Sequence, residues 1–216
     1  MKQTAARKPG RPANPERCER RREEILDAAV TLFAEHGYAD ADMQVLADRL
    51  GVGKGTVYRY FPSKRELFLA AADSGIRRLT QAVEDSMEGI DGPLEQIARG
   101  IRAYLTFFAE HPEYVELLIQ ERAHFKDRKK PTYFEHREAN AERWREQYRA
   151  LIARGKIRDM AVDRIRDVIH GLVYGTMFTN YFTAPRKSFE EQAQDIIDVV
   201  FFGILSAEER RRRGQG

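Results

Sequence analysis

Apolar residues recur along almost the whole chain at the spacing that places them on one face of a helix. No stretch alternates apolar and polar residues in the way that a half-buried strand requires. The first apolar stripe begins at about Glu16, runs through Ile25 and Phe33, and ends at Gly37, a residue suited to a helix C-terminus. The pattern predicts an all-α protein of about nine helices.

Two short helices separated by a glycine-containing turn are predicted next. Asp42 is a suitable cap for the first of them, and residues 51–53 (Gly-Val-Gly) interrupt the chain after it. The second runs from about Lys54 to Phe61, where Pro62 stops it. Two short helices joined by a tight turn are typical of a helix-turn-helix.

The remaining helices are predicted from capping signals and apolar stripes. Ser63, followed three residues later by Glu66, has the spacing of a capping box and begins the fourth helix. The same spacing recurs at Thr132 with Glu135 and at Ser188 with Glu191. The later helices are predicted over residues 93–110, 112–126, 132–154, 160–183 and 189–209.

Composition limits the class of protein. The 216 residues are 42% hydrophobic and 33% charged, which indicates a globular chain of one domain or two small ones. The single cysteine, Cys18, excludes an intrachain disulfide and a cysteine-based zinc site. No apolar run approaches the roughly 18 residues of a membrane span, and the N-terminus lacks a secretory signal. We therefore expect a soluble cytoplasmic protein with no membrane partner.

Positive charge is concentrated at the N-terminus. Residues 1–22 hold eight Lys or Arg against two Glu, whereas the whole chain carries a net charge of only +3. Such an arm indicates a polyanionic partner, of which nucleic acid is the commonest, although a solvated tail has the same composition. We expect three segments: a basic flexible arm (1–15), a helix-turn-helix DNA-binding domain (16–72), and a C-terminal helical bundle domain (73–216).

The third predicted helix has one face suited to DNA. Val57 and Phe61 fall on its inner side, and Gly55 and Arg59 fall on the opposite side. A glycine inside a helix costs about 1 kcal/mol relative to alanine, and a groove-facing position would explain it by allowing close approach to DNA. The alternative is that these are ordinary surface and core residues of a helical bundle. The expected DNA contacts, to base edges or phosphates, are Lys54, Gly55, Thr56, Tyr58, Arg59, Tyr60 and Lys64.

Residues 24–69 resemble the DNA-binding domain of the TetR/AcrR transcriptional regulators. The matching segments are ILDAAVTLFAEHGY (25–38), VLADRLGVGKGTVYRYFPSK (45–64) and ELF (66–68). The resemblance implies that residues 54–61 form the recognition helix of a repressor that binds a pseudo-palindromic operator as a dimer. Two positions depart from the family pattern: Gly53 stands where serine is common, and Asp42 stands where threonine is common. An aspartate would repel phosphate, so no DNA contact is expected from Asp42.

A short segment of the arm is similar to a minor-groove hook. Residues 8–12 read Lys-Pro-Gly-Arg-Pro, in which Arg11 would enter the narrow groove of A·T-rich DNA. Pro9 stands where the usual leading arginine would be. The alternative, which this departure favours, is a basic arm that only adds attraction to phosphate.

The last two predicted helices carry stripes suited to association. Gly171 and Gly175 lie one turn apart on one face and permit close helix approach. The final helix places Ile196, Val200 and Ile204 at near-heptad spacing. A single chain of this size has difficulty covering both stripes, so we expect a homodimer, as the family resemblance also implies. The alternative is that both helices pack only within the chain.

Aromatic and soft residues in the C-terminal half are candidates for an effector pocket. Their helical spacing alone favours an ordinary core, but the family resemblance implies a small-molecule effector, and aromatic walls with a few polar groups suit one. The candidates are Tyr104, Phe107, Trp144, Tyr148, His170, Tyr174 and Met177.

A helical metal-binding protein is the alternative class. Glu121 with His124, and Asp167 with His170, have the spacing of carboxylate and histidine ligands in metal-binding helical bundles. Glu116 and Glu138 are candidates for the further carboxylates of such a site. No glycine-rich phosphate loop or nucleophile elbow is present in the sequence, so we expect neither an enzyme nor a cofactor.

Overall fold

A computed structural model describes residues 14–204, and regular structure in this range is entirely helical. The expected arm and hook-like segment lie almost wholly in residues 1–13, outside the described range. Ten helices are present rather than the nine predicted, and the all-α prediction is confirmed. They are α1 (Pro15–Asp40), α2 (Met43–Arg49), α3 (Lys54–Tyr60), α4 (Lys64–Met87), α5 (Pro93–Glu110), α6 (Pro112–His124), α7 (Thr132–Ala139), α8 (Ala141–Ala153), α9 (Val162–Phe182) and α10 (Phe189–Phe202).

The extra helix arises because the predicted helix 132–154 is broken at Asn140, which separates α7 from α8. Asn140 has φ −89° and ψ 1°, and its N–H donates to the carbonyl of His136 at 3.0 Å. The capping box predicted at Thr132 and Glu135 is also wrong. The Thr132 hydroxyl instead donates to the carboxylate of buried Glu121 at 3.0 Å, and Pro131 is the residue that precedes the helix.

Other predicted helix ends are confirmed. The Asp42 carboxylate accepts the N–H of Gln44 at 2.8 Å and caps α2. Ser188 and Glu191 form the predicted capping box at the start of α10. Within α1, Gly37 leaves the helical conformation with φ 76°.

The end predicted for the last helix is wrong. This helix ends at Phe202, earlier than predicted, because Gly203 takes φ 72°.

The chain divides into two compact units at the boundary between Ala71 and Ala72, so that α4 contributes Lys64–Ala71 to the first. In the first unit, aromatic rings organise the core. Phe68 meets Phe33 edge-on with centroids 5.0 Å apart, and meets Tyr38 at 5.2 Å. Leu46 of α2 and Val57 of α3 are also buried, so the helix-turn-helix packs on this core.

In the second unit, α5 packs against α6, α9 and α10. Its apolar side is buried, including Ile101, Leu105 and Phe108. No helix within residues 14–204 is long and apolar enough to cross a membrane.

Candidate DNA-binding and effector sites

The inner and outer faces of α3 are those expected from its sequence. Val57 and Phe61 are buried, whereas Gly55 and Arg59 are exposed. A Cβ atom added at Gly55 would meet nothing within 4 Å, so the backbone of α3 is open on this side. Tyr58 is 37% exposed beside it. The first turn of α3 and this outer face form the candidate DNA-binding surface.

An acidic residue lies at the start of this surface. The Asp42 carboxylate is 3.5 Å from Nζ of Lys54, while it also caps α2. The hydrogen bond from the Gln44 N–H, helped by the charge of Lys54, lowers the pKa of Asp42. Asp42 is therefore ionised at neutral pH and offsets part of the positive charge of Lys54.

Lys64 is held in place by the end of α1. Its Nζ donates to the carbonyl of Ala39 at 2.9 Å and lies 5.2 Å from the ring centroid of Tyr38. Burial lowers the pKa of Lys64. An ammonium group has three donors, so this anchoring leaves capacity for a phosphate.

The other candidate residues of α3 are partly covered. Thr56 and Tyr60 are half-buried, and the Arg59 guanidinium lies 5.5 Å from the centre of the Tyr60 ring.

The second unit contains a cavity of about 130 Å³. Four of the predicted effector residues line it: Tyr104, Trp144, Tyr148 and His170. Seven aliphatic residues form a further part of its wall. The aliphatic residues are Ile76, Leu79, Val83, Ile97, Ile101, Ile169 and Val173.

Three predicted effector residues do not line this cavity. Phe107 is buried instead against Tyr114, with nearly parallel rings 5.8 Å apart. Met177 is buried with its sulfur 3.8 Å from the Tyr104 hydroxyl. Tyr174 lies in a separate depression beside Phe134. Helical spacing predicted the burial of Phe107 and Met177 correctly, but it could not distinguish a core position from a cavity wall.

Basic residues line part of the same cavity. His136 Nε2 lies 2.6 Å from the Asp73 carboxylate, and Arg143 pairs with Glu84. Arg137 and Arg166 both contact the Asp167 carboxylate, and Arg166 lies one turn before His170 on α9. Burial, together with the charges of Arg137 and Arg166, lowers the pKa of His170 to about 4, so its ring is neutral at pH 7.

An apolar face is exposed along α9 and α10, and we call it the α9–α10 face. Of the stripe predicted through Ile196, Val200 and Ile204, Ile196 is buried within the chain and Val200 is half-buried, so neither belongs to this face. Ile204 of the same stripe lies beyond the end of α10 and is 84% exposed. Added Cβ atoms at the two glycines would meet nothing within 4 Å. The face comprises Val168, Gly171, Gly175, Phe182, Val199 and Phe202.

Comparison with known families identifies the family of the chain. The family model described as bacterial regulatory proteins of the tetR family matches residues 25–71. The model described as a tetracyclin repressor-like C-terminal domain matches residues 91–178. The chain belongs to the TetR family of helix-turn-helix transcriptional regulators.

Several relatives of this TetR-family chain are transcriptional regulators. It is 28% identical over 207 residues to the uncharacterised regulator Mb1581 of Mycobacterium bovis, which covers 91% of this chain and 93% of that protein. It is 29% identical over 100 residues to the activator FasR of Mycolicibacterium smegmatis, which covers 46% of each. The chain thus spans less than half the length of some curated relatives that it matches.

A solved structure shares the fold. The transcriptional regulator FadR from Bacillus subtilis, in complex with stearoyl-CoA, superposes with a TM-score of 0.72 at 19% identity. The match covers 85% of this chain and 99% of that one.

The geometry of the TetR-family chain does not bring the alternative metal ligands together. Glu121 is buried and accepts hydrogen bonds from Thr132, whereas His124 is exposed. Asp167 is paired with two arginines. Within residues 14–204, no three His, Cys, Asp or Glu side chains come together as a metal-binding group.

Sequence reasoning missed the basic residues of the cavity. Charged residues on helices are usually solvated, so the sequence pattern does not distinguish Arg137 and Arg166 from ordinary surface residues. One signal was present: Arg166 and His170 lie four residues apart and share a helix face with apolar Val173. An arginine on the apolar side of an amphipathic helix is a candidate for a buried polar site.

Proposed function

We propose that this chain is a homodimeric repressor that binds a pseudo-palindromic operator through α3 and is released by a small-molecule effector. The observation that carries the proposal is the division of α3 into two faces. Gly55 and Arg59 are exposed on the outer face, and Val57 and Phe61 are buried on the inner face. A helix with an open backbone and basic side chains on one face suits the major groove.

The candidate residues have different tasks in this proposal. Arg59 reaches base edges, because it lies on the outer face of the recognition helix. Lys54, at the start of that helix, binds a phosphate. The hydroxyl groups of Thr56, Tyr58 and Tyr60 bind phosphate oxygens. Lys64 binds a phosphate near the start of α4, where the helix N-terminus also favours an anion.

The second copy of the chain covers the α9–α10 face. Gly171 and Gly175 let helices approach closely, and the exposed Val199 and Phe202 supply apolar area. Two helices from each subunit then pair as a four-helix bundle. In such a dimer the two recognition helices lie about 34 Å apart, one turn of B-DNA.

The effector binds in the cavity of the second unit. Support comes from its aliphatic and aromatic walls and from the fold shared with FadR, whose structure is a complex with stearoyl-CoA. Ile76 and Leu79 of the wall belong to α4, the helix that begins at Lys64. Movement of α4 on effector binding would therefore shift Lys64, which we propose binds a phosphate of the operator. A coupling of roughly 1–3 kcal/mol would weaken operator binding 5- to 150-fold.

Selection from random DNA tests this function most directly. The selected sequences should contain inverted half-sites, and footprinting of the purified protein should protect both. A promoter carrying the selected site, fused to a reporter, should be repressed when the protein is produced in the bacterial cytoplasm. Activation of that reporter would contradict the repressor assignment, and selected sequences without a half-site would contradict operator binding. The relative FasR is named an activator, so the direction must be measured.

A further inference from the structure

Three residues that line the cavity carry buried nitrogen atoms that lack hydrogen-bond partners. They are Nε of Arg137, Nε and Nη1 of Arg166, and Nδ1 of His170. Buried polar atoms of native proteins are nearly always hydrogen-bonded, so these atoms need an explanation.

The other basic residues of the cavity do not share this property. His136 and Arg143 have carboxylate partners in Asp73 and Glu84, respectively. The unpartnered nitrogen atoms of the basic lining residues therefore belong to Arg137 of α7 and to Arg166 and His170 of α9.

Local carboxylates satisfy only some of the nitrogen atoms of these arginines. Asp167 accepts from one terminal nitrogen of each guanidinium, and Asp163 lies 3.4 Å from the same nitrogen of Arg166. These contacts hold the two planar groups but leave Nε of Arg137 and both Nε and Nη1 of Arg166 without acceptors. Two guanidinium groups held in this way suit bidentate recognition of a planar or tetrahedral anion.

The state of His170 agrees with this geometry. Its low pKa arises from burial and from the neighbouring Arg137 and Arg166, only partly opposed by Asp167. Burial disfavours charge of either sign, but the two guanidinium groups that oppose a proton on the imidazole also attract an anion.

We propose that Arg137, Arg166 and His170 form an anion subsite that binds the carboxylate or phosphate end of an amphipathic effector whose apolar body lies along Ile76, Leu79 and Val83. This inference rests on the effector cavity proposed above. It adds that the effector carries an acidic head group and an aliphatic body, and it identifies the residues that bind each part.

Binding is measured with three eight-carbon probes that differ only in the head group: octanoate, octyl phosphate and neutral octanol. Trp144 is the chain's single tryptophan and lines the cavity, so its fluorescence reports occupancy without DNA. We expect at least one of the two anions to bind about tenfold or more tightly than octanol, because charge-assisted hydrogen bonds are roughly twice as strong as neutral ones. Whichever of octanoate and octyl phosphate binds more tightly identifies the head group as a carboxylate or a phosphate.

Variants locate the subsite. Arg166→Met should lower the affinity for the preferred anion about tenfold or more while changing the affinity for octanol little. Arg166→Lys keeps the positive charge, so it should lower the affinity for that anion less than Arg166→Met does. Arg145→Met is the matched control, because Arg145 also pairs with Asp163 but does not line the cavity. Thermal unfolding of each variant checks that the fold is intact. His170→Phe offers a second variant if Arg166→Met fails to fold.

The outcomes separate the two proposals. Equal affinity for octanol and both anions, or an equal loss in Arg166→Met and Arg145→Met, would overturn the anion subsite while leaving the effector cavity standing. Failure of all three probes to bind would overturn the aliphatic effector and the subsite together, but operator selection would still test DNA binding.

Discussion

The Asp42 carboxylate serves two partners at once: it accepts the N–H of Gln44 at the start of α2 and lies 3.5 Å from the ammonium of Lys54 at the start of α3. It therefore ties the two helices of the helix-turn-helix together. It also places a negative charge on the surface that we propose faces DNA. Helix capping and DNA attraction are thus in opposition at this residue.

Replacing Asp42 with asparagine should separate these two effects. Asparagine caps a helix as well as aspartate does, so the fold should be retained. Without the carboxylate, Lys54 is free to neutralise a phosphate, so operator and non-operator DNA should both bind several-fold more tightly. The dependence of log affinity on log salt should steepen by about 1 per subunit. Affinities across a salt series measure both changes.

Asp48→Asn is the control for this prediction. Asp48 is an exposed carboxylate on the same helix and accepts a hydrogen bond from the Gln44 side chain rather than from Lys54. An equal gain in both variants would mean that net charge, and not the release of Lys54, is responsible.

Replacing Arg59 or Lys64 with alanine should weaken DNA binding in two different ways. Arg59 lies on the outer face of α3, so Arg59→Ala should cost about 1–3 kcal/mol on the operator and relax preference at one or two base pairs per half-site. Lys64 is anchored to Ala39 beside the helix start, so Lys64→Ala should weaken all sequences similarly and reduce the salt slope by about 1 per subunit. Operator and random-DNA affinities distinguish the two.

Gly55→Leu tests the orientation of α3 itself. A side chain at this position meets no protein atom within 4 Å, so the helix should fold normally, and leucine is in fact the better helix former. The added side chain would hold the helix away from the groove and abolish specific binding. Circular dichroism and operator affinity are the two measurements, and normal operator binding would show that Gly55 does not face DNA.

Much of this architecture could be predicted from the sequence, because amphipathic period, caps and proline stops are local signals. Asp42, Ser188 and Gly37 acted as their residue types indicate. The break at Asn140 was missed because one residue of modest helix propensity does not interrupt the apolar stripe. The cavity could be predicted only in part, since Trp144 and Phe107 have the same periodicity and only tertiary packing decides which residue faces a void.

Dimerisation through the α9–α10 face should be abolished by charge. Val199 is 47% exposed in the single chain, so Val199→Arg should leave the subunit folded. In the dimer the guanidinium would be buried without a partner, which is costly, so monomers and loss of operator binding are expected. Light scattering at micromolar concentration measures the mass. Ala150→Arg, at an exposed position on α8, is the control that should remain dimeric.

Because of His170, the free energy of unfolding should be lower in mild acid than at neutral pH. Its pKa is about 4 in the folded chain and near 6.5 when unfolded, so between these pH values the unfolded state binds the extra proton. Its contribution to stability is therefore present above about pH 6.5 and is lost as the pH falls towards 4, by up to about 1.4 kcal/mol per pH unit. Urea unfolding at several pH values should show a flatter profile for His170→Gln than for the wild type. A wild-type profile in His170→Gln would contradict the assignment.

Gly75 should tolerate no larger residue while Tyr114 lies against it. A Cβ atom at Gly75 would be 2.2 Å from the Tyr114 ring, which is far inside van der Waals contact. The ring has little freedom to withdraw, because it is buried, lies against Phe107 and accepts a hydrogen bond from Arg78 at 3.1 Å.

Gly75→Ala therefore sets two opposing effects against each other. Alanine gains about 1 kcal/mol over glycine inside a helix, whereas overpacking costs about 1–3 kcal/mol. With the ring fixed, we expect net destabilisation, seen as a lower urea midpoint with an unchanged slope. The decisive comparison is a double-mutant cycle with Tyr114→Ala, which removes the ring that the new methyl group would meet. In that background Gly75→Ala should be neutral or stabilising. Equal destabilisation in both backgrounds would mean that the contact between α4 and α6 is not what requires glycine.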